Sequence, residues 1–483
     1  MPPEVARPAY DRAATGIGVV HLGVGAFHRA HQAVYFDDRL AAGETDWAIC
    51  GASLRAADTA EALDPQDGLY TLAVKSGGGE KLRVVGALRR LLVAPRDPEA
   101  LLQALAHPGV RIVSLTVTEK GYCHDPATGL LNEDHPLIRA DLMQPNAPQT
   151  APGYLVEAIR RRRAAGLPPF TVLCCDNLPA NGRTVGRVVS RLAELANPDL
   201  GRFVSGEVAF PSTMVDRIVP ATTDEDRAAV AERLGAADAW PVSTEPFSQW
   251  VIEDRFSAGR PRLDEAGAEL VCDVAPYEIM KLRLLNGSHS TLAYLGYLAG
   301  HETVADAIEI PAFRRLILGL MDEEITPTLR VPASADIAGY KRSLLARFEN
   351  PALRHRTWQI AMDGSQKLPQ RLLGTIRDRL AVGAPFPRLA LGVAAWMRYV
   401  TGIDERGQPI DVRDPMRDRL RDAAKAGADD PEQLARTLLS LPEIFGDLAQ
   451  DPRLADPVIA ALRSLFARGA SRTLEDWSDR IPL

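Results

Sequence analysis

One apolar stretch of the sequence, Pro276 to Ser290, contains residue types that can move a proton or hold a polar ligand: Lys281, Asn286 and His289. Polar groups in apolar surroundings need partners or a function, because burial without hydrogen bonds is costly. On an ideal helix the three side chains fall within an arc of about 140°, but Lys281 and His289 lie roughly 12 Å apart along the axis. We therefore expect a break near Asn286, or the long reach of the lysine, to bring them together. Satisfied core residues are the alternative interpretation.

A second segment, starting at Val19, has the layout of a strand, a glycine turn and a helix. Gly23 permits a tight turn and Gly25 permits close approach of a pyrophosphate, whose charge meets backbone N–H groups at the helix start. Ala26 and Phe27, which follow the turn, complete the predicted cofactor contacts. The third glycine of the dinucleotide motif is absent. The alternative interpretation is therefore that these glycines only end the strand and bind no cofactor.

An acid is expected near the end of the second strand to bind the adenosine ribose. Asp58 follows the predicted strand Trp47 to Leu54 and supplies such an acid. It favours NAD over NADP, although Arg55 could instead bind a 2'-phosphate. NAD is the predicted cofactor.

Asp176 and Asn177 follow a further predicted strand, Thr171 to Cys175. Their side chains are expected at the carboxyl edge of the sheet, where open α/β folds bind ligands. Asn and Asp also favour turns for local reasons, which is the competing explanation.

His28 and His31 lie three residues apart on one predicted helix and form a possible metal pair. No further set of His, Cys or acidic residues with matching spacing completes a zinc site. We therefore predict no metal.

Composition limits the class of protein. The chain has 483 residues, 46% hydrophobic and 25% charged, which predicts a globular protein of two domains. Its net charge of -7 argues against nucleic acid or an anionic membrane as partner. The 5 cysteines include no CxxC pair and are expected to be reduced, buried thiols. Without an apolar leader or an 18-residue apolar run, a cytoplasmic protein is expected.

The element pattern predicts an α/β fold with two domains. Residues 1–275 alternate short apolar runs with amphipathic segments, which is typical of a Rossmann-type dinucleotide-binding domain with a parallel sheet. Residues 276–483 show helical periodicity and predict a mostly α-helical domain. Further expectations are a helix from His28 to Ala42, a strand from Arg111 to Thr118, a hairpin of Tyr70 to Val74 with Leu82 to Leu88, and a solvated helix face at Arg160 to Arg163.

Several motifs in one order resemble the polyol-specific long-chain dehydrogenase family. The likeness runs from about Gly18 to Met416, and it is carried by Gly23 to Gln32, Thr118 to Tyr122, Cys175 to Asn177, Phe210 to Arg217, and Lys281 with Leu285 to His289. Such a resemblance implies metal-independent hydride transfer between a secondary alcohol and a nicotinamide.

The same resemblance implies roles for individual residues. Lys281 matches the general acid/base of the family, whose pKa must be depressed to act near neutral pH. Asn177 and Asn286 match a pair of amides that steady the developing alkoxide. His289 matches a substrate-orienting group, and Glu278 matches a carboxylate that relays the proton to water.

Within the family, the segment Pro351 to Pro369 resembles the fructuronate reductase branch. Members acting on neutral polyols have glycine where this chain has Lys120, and arginine where it has Gln359. The added cation is predicted to receive the carboxylate of a hexonate, which implies interconversion of D-mannonate and D-fructuronate. A surface charge on a loop is the alternative for Lys120.

The predicted substrate-binding residues are Lys120, Asp216, Arg356 and Lys367, with Arg354 as a further candidate for the second cation. The substrate is a small sugar acid or polyol. Two other functions stay open: a mannitol or arabinitol 2-dehydrogenase, and a non-catalytic dinucleotide-binding sensor. Sequence leaves the oligomeric state open between monomer and dimer.

Overall fold

The computed structural model describes residues 1–125, 128–333, 335–427 and 430–480. The chain divides into two compact units, Met1–Ala275 and Pro276–Leu483. Among the helices of the described ranges, none is both long enough and apolar enough to cross a membrane.

Strands occur in the first unit. They are β1 Ile17–Leu22, β2 Ala48–Ser53, β3 Tyr70–Ser76, β4 Gly79–Val85, β5 Leu88–Val93, β6 Ile112–Leu115, β7 Thr171–Cys174, β8 Thr213–Asp216, β9 Val242–Thr244, β10 Gln249–Glu253 and β11 Glu269–Val271. The central sheet has the order β5-β2-β1-β6-β7, and two smaller sheets have the orders β11-β10-β8 and β4-β3-β9.

All neighbouring pairs of the central sheet are parallel. Its inner strands are almost continuously buried, as expected for a parallel sheet covered on both faces. Since parallel strands end on the same side, the residues that follow β1, β2, β6 and β7 share one edge. This is the edge at which doubly wound folds bind ligands.

The helices of the first unit are α1 Ala26–Ala30, α2 Gln32–Ala41, α3 Asp58–Leu63, α4 Pro98–Ala106, α5 Pro136–Met143, α6 Ala151–Ala164, α7 Asn181–Ala196, α8 Pro198–Glu207 and α9 Asp224–Leu234. Together with the parallel sheet they confirm the predicted Rossmann-type fold.

The second unit is built from helices, as predicted. They are α10 Ala275–Met280, α11 Ser288–Leu298, α12 Val304–Ile308, α13 Pro311–Gly319, α14 Ile337–Phe348, α15 Thr357–Ala361, α16 Gly364–Leu368, α17 Gly374–Ala381, α18 Pro387–Tyr399, α19 Arg417–Ala426, α20 Pro431–Leu439, α21 Pro442–Phe445 and α22 Pro452–Arg480. Three π-helical segments continue α10, α13 and α16 over Lys281–Gly287, Leu320–Ile325 and Pro369–Leu373.

The glycine-rich hairpin is confirmed between β3 and β4, which pair antiparallel. The predicted second strand of the hairpin, Leu82 to Leu88, is in fact the end of β4 and the start of β5. Gly86 lies between them, and its N–H is bonded by the Asp37 carboxylate at 2.9 Å, which turns the chain from one sheet to the other.

Two predicted elements are shorter than expected. The helix predicted from His28 to Ala42 is broken into α1 and α2, because His31 has φ -121° and ψ -93° and bonds through its ring to the Gln249 carbonyl. The strand predicted from Arg111 to Thr118 ends at Leu115, since the Thr116 hydroxyl bonds to the turn at Gly23.

Two surface expectations were wrong in part. Within the basic run of α6, Arg162 is buried, and its guanidinium donates to the carbonyls of Pro168 and His107. The two carbonyls accept bonds from Nε and Nη1 of this guanidinium, while Nη2 has no partner among the described residues. Of the cysteines, Cys272 is exposed while the others are buried, and all are free thiols.

Candidate active site

The glycine turn after β1 is held by the strands on either side. Gly23 has φ +97°, and a Cβ there would lie 2.2 Å from the Thr116 carbonyl oxygen, so only glycine fits. The Gly23 N–H donates to the Ala52 carbonyl at 2.9 Å. Gly25 is exposed, and a Cβ built there meets no atom within 4 Å, so space is open beside it.

The start of α1 is suited to an anion. Ala26 is its first residue and Phe27 its second, and the cap residue Gly25 has no side chain to bond to the free N–H groups. An exposed turn with open space and uncapped N–H donors fits the pyrophosphate of a dinucleotide. These residues of the first unit therefore fit the predicted cofactor.

His21 fixes the turn from within the sheet. Its Nδ1 bonds to the Ser114 hydroxyl at 2.8 Å, and its Nε2 approaches the Gly23 carbonyl at 3.1 Å. Burial lowers the pKa of His21 to about 3, so the ring is neutral near pH 7. His28 stacks on it with ring centroids 3.4 Å apart.

Asp58 is the first residue of α3 and is exposed. It follows the end of β2 at the ligand-binding edge, as expected for a ribose-binding acid. Arg55, the alternative contact for a 2'-phosphate, is exposed in the same loop.

Asp176 ties together two loops at the same edge. Its carboxylate accepts bonds from the Val117 and Thr118 N–H groups, each at 3.0 Å, and from the Tyr122 hydroxyl at 2.6 Å. Lys120 is exposed on the turn that these bonds secure, and Asn177, next to the aspartate, is exposed too. Burial raises the pKa of Asp176, and the bonds it accepts oppose that rise. Asp216 ends β8, where it is 4% exposed.

The predicted lysine lies where an α-helix becomes a π-helix. Lys281 opens the π-helical segment and is 9% exposed, Asn286 lies within it, and Glu278 precedes it on α10. Bonds from i to i+5 place more residues in each turn than an α-helix does, which shortens the distance from Lys281 to His289 along the axis. The structure thus has a widened turn where the sequence predicted a break, and convergence of the three side chains stays a prediction.

His289 begins the regular helix that follows. Its ring stacks on Phe348 at 5.4 Å and meets His355 edge-on at 4.5 Å, and its Nε2 is buried without a hydrogen-bond partner. Burial lowers the pKa of His289 well below its usual value, and the neighbouring His355 and Arg371 lower it further. The ring is therefore neutral.

The predicted cations of the second unit differ in their surroundings. Lys367 donates to the Met362 carbonyl at 2.7 Å and lies 3.6 Å from the Asp363 carboxylate. Burial lowers its pKa, and so does the charge of Arg371. Arg356 forms an ion pair with Glu302.

The remaining candidate cation is exposed. Arg354 has φ +44° and follows a short turn that begins at Pro351. Its side chain lies at the surface of the second unit.

The described ranges contain no group of three or more His, Cys, Asp or Glu side chains placed to hold a metal ion. The two histidines considered as a metal pair make ring contacts instead. His28 stacks on His21, and His31 stacks on Phe27 with ring centroids 5.1 Å apart.

Sequence reasoning missed Arg371, a partly buried residue whose charge acts on His289. It lies two residues beyond the segment that ends at Pro369, in the third π-helical segment. Arg371 Nη1 donates to the Ser290 hydroxyl at 3.0 Å. Arg371 lies four residues after Lys367, which is about one helical turn, but this spacing does not reveal its surroundings.

Comparison with known proteins identifies a family for each of the two units. The Mannitol dehydrogenase Rossmann domain family matches residues 17–265, and the Mannitol dehydrogenase C-terminal domain family matches residues 273–466. The chain belongs to the mannitol dehydrogenase family, and the predicted resemblance is confirmed. It is an oxidoreductase.

Individual relatives cover nearly the whole chain. D-mannonate oxidoreductase of Escherichia coli (strain K12) is 49% identical over 473 residues, 96% of each chain. The uncharacterized oxidoreductase YeiQ of the same organism is also 49% identical, over 98% of this chain and 97% of its own. The Pseudomonas fluorescens mannitol 2-dehydrogenase, solved as a ternary complex with NAD and D-mannitol, is 40% identical with a TM-score of 0.86, over 99% of this chain and 98% of its own.

Proposed function

We propose that this oxidoreductase uses NAD to interconvert D-mannonate and D-fructuronate. The observation that carries the choice of an acidic substrate is Lys120, an exposed cation on the turn that Asp176 secures at the ligand-binding edge of the sheet. The 49% identity to D-mannonate oxidoreductase supports the same substrate.

In the proposed reaction, bound NAD supplies the nicotinamide that takes the hydride from the alcohol carbon. Lys281, as the neutral amine, takes the hydroxyl proton, and the carbon–oxygen bond gains its second pair as the hydride leaves. Glu278 carries that proton from the lysine to water. Burial of Lys281 in an apolar segment favours the neutral amine that this step needs.

The amides of Asn177 and Asn286 are proposed to donate to the alcohol oxygen as negative charge develops on it. His289 is proposed to orient a substrate hydroxyl through its buried Nε2. Because the ring is neutral, it adds no charge of its own to the site.

For the cofactor, Gly23, Gly25, Ala26 and Phe27 are proposed to hold the pyrophosphate. Asp58 is proposed to accept bonds from the ribose hydroxyls. The open space at Gly25 and the uncapped start of α1 support this assignment.

Substrate contacts are proposed for Lys120, Asp216, Arg356 and Lys367. Lys120 is exposed on a turn at the ligand-binding edge of the sheet, which suits a group that meets a charged substrate. Arg356 is less available than the sequence suggested, because it is paired with Glu302.

Mannitol oxidation is the second candidate, favoured by the shared fold of the Pseudomonas fluorescens enzyme. A panel of D-mannonate, D-fructuronate, D-mannitol and D-arabinitol, followed at 340 nm with NAD(H) and NADP(H), separates the two. We expect the highest kcat/KM for the acid pair with NAD(H). A higher kcat/KM for D-mannitol would refute the proposal, and absence of any turnover would favour a dinucleotide-binding sensor.

A further inference from the structure

Positive charge collects around one neutral ring of the second unit. His289 is influenced by His355, Arg371, Arg347 and Lys367, and each of them lowers its pKa after burial has done so. The ring of His355 is neutral as well, because burial lowers its pKa to about 4. The charge near His289 therefore comes from the arginines and the lysine.

Arg371 is partly buried, and its charge is met differently from those of two buried arginines of this unit. Arg388 is paired with Glu323 at 2.8 Å and Glu324 at 3.4 Å, and Arg379 donates twice to the Pro385 carbonyl. Arg371 donates to the Ser290 hydroxyl, and within the described ranges no carboxylate lies within ion-pair distance of it. Desolvation by burial lowers its pKa. Such a charge is expensive unless an anion joins it.

The carboxylate whose charge acts on Arg371 also serves another cation. Asp363 lies 3.6 Å from Lys367 Nζ, and the same lysine donates to the Met362 carbonyl. The Asp363 charge acts on Arg371 from a longer distance and offsets its burial only in part. One of the two neighbouring cations, Arg371, thus keeps an uncompensated charge.

The position of Arg371 relative to the proposed catalytic segment is fixed by the backbone. Its carbonyl oxygen lies 2.8 Å from the place where a Cβ on Gly287 would be, so the two π-helical segments are in close contact. Ser290, whose hydroxyl accepts the hydrogen bond from the Arg371 guanidinium, follows His289 directly. The cation therefore lies beside the helix turn that carries Asn286 and His289.

We propose that Arg371 binds the carboxylate of the substrate and so selects sugar acids over neutral polyols. This inference rests on the proposed function. It assigns the second cation to Arg371, whereas the sequence had offered Arg354, Arg356 and Lys367. A guanidinium presents paired N–H donors that match the two oxygens of a carboxylate. His289 Nε2 offers a further polar contact for the same end of the substrate.

The test compares R371Q with the wild type on an acid and on a neutral substrate. We expect kcat/KM for D-mannonate to fall by about ten- to a hundredfold, mainly through KM, because a charge-assisted bond is lost. For D-mannitol the same variant should change less than threefold. If D-mannitol is oxidised too slowly to measure, two competitive inhibitors of D-mannonate turnover give the same comparison. The inhibition constant of the acid D-gluconate should rise in R371Q, and that of the neutral polyol D-glucitol should change little.

Arg377→Gln is the matched control. It removes an arginine from the same unit by the same chemical change, but Arg377 is exposed and paired with Asp447 at 2.7 Å. We expect unchanged kinetics for both substrates. Thermal unfolding and NADH fluorescence titration verify that each variant is folded and binds the cofactor.

R371K tests the inference if R371Q does not fold. It keeps the charge but not the paired donors, so the acid-to-polyol ratio of kcat/KM should lie between those of R371Q and wild type. An unchanged ratio in the folded variant, or equal losses on both substrates, would overturn the role of Arg371 while leaving the proposed function intact. A wild type that prefers D-mannitol would instead overturn the proposed function, and this inference with it.

Discussion

Replacing Gly287 by alanine tests whether the close contact of two π-helical segments positions the proposed catalytic residues. The new Cβ would lie 2.8 Å from the Arg371 carbonyl oxygen, whereas ordinary contact begins at 3.4 Å. A backbone oxygen cannot rotate away, so one segment must move by roughly 0.6 Å. Gly287 has φ -65° and ψ -50°, which alanine adopts readily, so the clash is the only penalty.

The cost follows from these distances. Overpacking typically costs about 1 to 3 kcal/mol, and the lower chain entropy of alanine returns about 0.4 to 1 kcal/mol. The net loss is therefore about 0 to 2.6 kcal/mol, which lowers the unfolding midpoint by up to roughly 10 °C in a unit of this size. Since a 1 Å misplacement costs about a hundredfold in rate, a shift of about half that size should lower kcat roughly tenfold.

Gly374→Ala is the control for this experiment. Gly374 has φ -59° and ψ -43°, but a Cβ there would lie 3.7 Å from the nearest atom, the Pro369 carbonyl oxygen. The Gly374→Ala variant should be at least as stable as the wild type, and its kcat should be unchanged. Calorimetry and steady-state kinetics at saturating NADH measure both effects. Equal stability and equal kcat in the two variants would refute the argument that this contact positions the segment.

Four further predictions concern single residues. Lys281→Ala should lower kcat by roughly 10²- to 10⁴-fold with NADH binding nearly unchanged, and near-normal turnover would exclude the lysine as acid/base. Asp58→Ala should raise the ratio of kcat/KM for NADP to that for NAD, whereas an unmoved preference would assign selection to another residue. Lys120→Gly should reduce kcat/KM for D-mannonate by roughly ten- to a hundredfold and that for D-mannitol much less, and equal losses would indicate mere support of the loop. His21, with its pKa lowered by burial to about 3 from 6.5, stabilises the fold fully above about pH 6.5 and loses that contribution as pH falls. Free energies of unfolding from urea titrations at pH 7 and 4.5 should therefore differ by about 2 to 3 kcal/mol more in the wild type than in His21→Asn. Equal losses of stability in the two proteins on acidification would contradict this prediction.

The sequence was sufficient for the fold because its main signals are local. Buried apolar runs after Ile17, Ala48, Ile112 and Thr171 predict parallel strands, and the helical period after residue 275 predicts the second unit. Element ends were less predictable. The break at His31 depends on a bond to Gln249, which is distant in sequence.

The candidate site was predictable where types and spacing carry the information, as for Lys281, Asn286 and the glycine turn. It was not predictable where tertiary burial decides the property. Neither the lack of a carboxylate partner for Arg371 nor the role of Asp176 in holding two loops can be read from neighbours in the chain. The π-helical geometry is likewise invisible to a pattern that assumes one period.

The π-helical segment at Lys281–Gly287 also constrains how this part of the chain can change in length. A widened turn holds extra residues within an otherwise continuous helix. Deleting a single residue there would let the segment close into an ordinary α-helix and would rotate everything after it by about 100°. His289 and the following turns of α11 would then present a different side to their neighbours. A surface loop can change in length without moving its neighbours, but an insertion or deletion here would turn His289 away from its present contacts. The number of residues between Lys281 and His289 is therefore as much a part of the site as their identities.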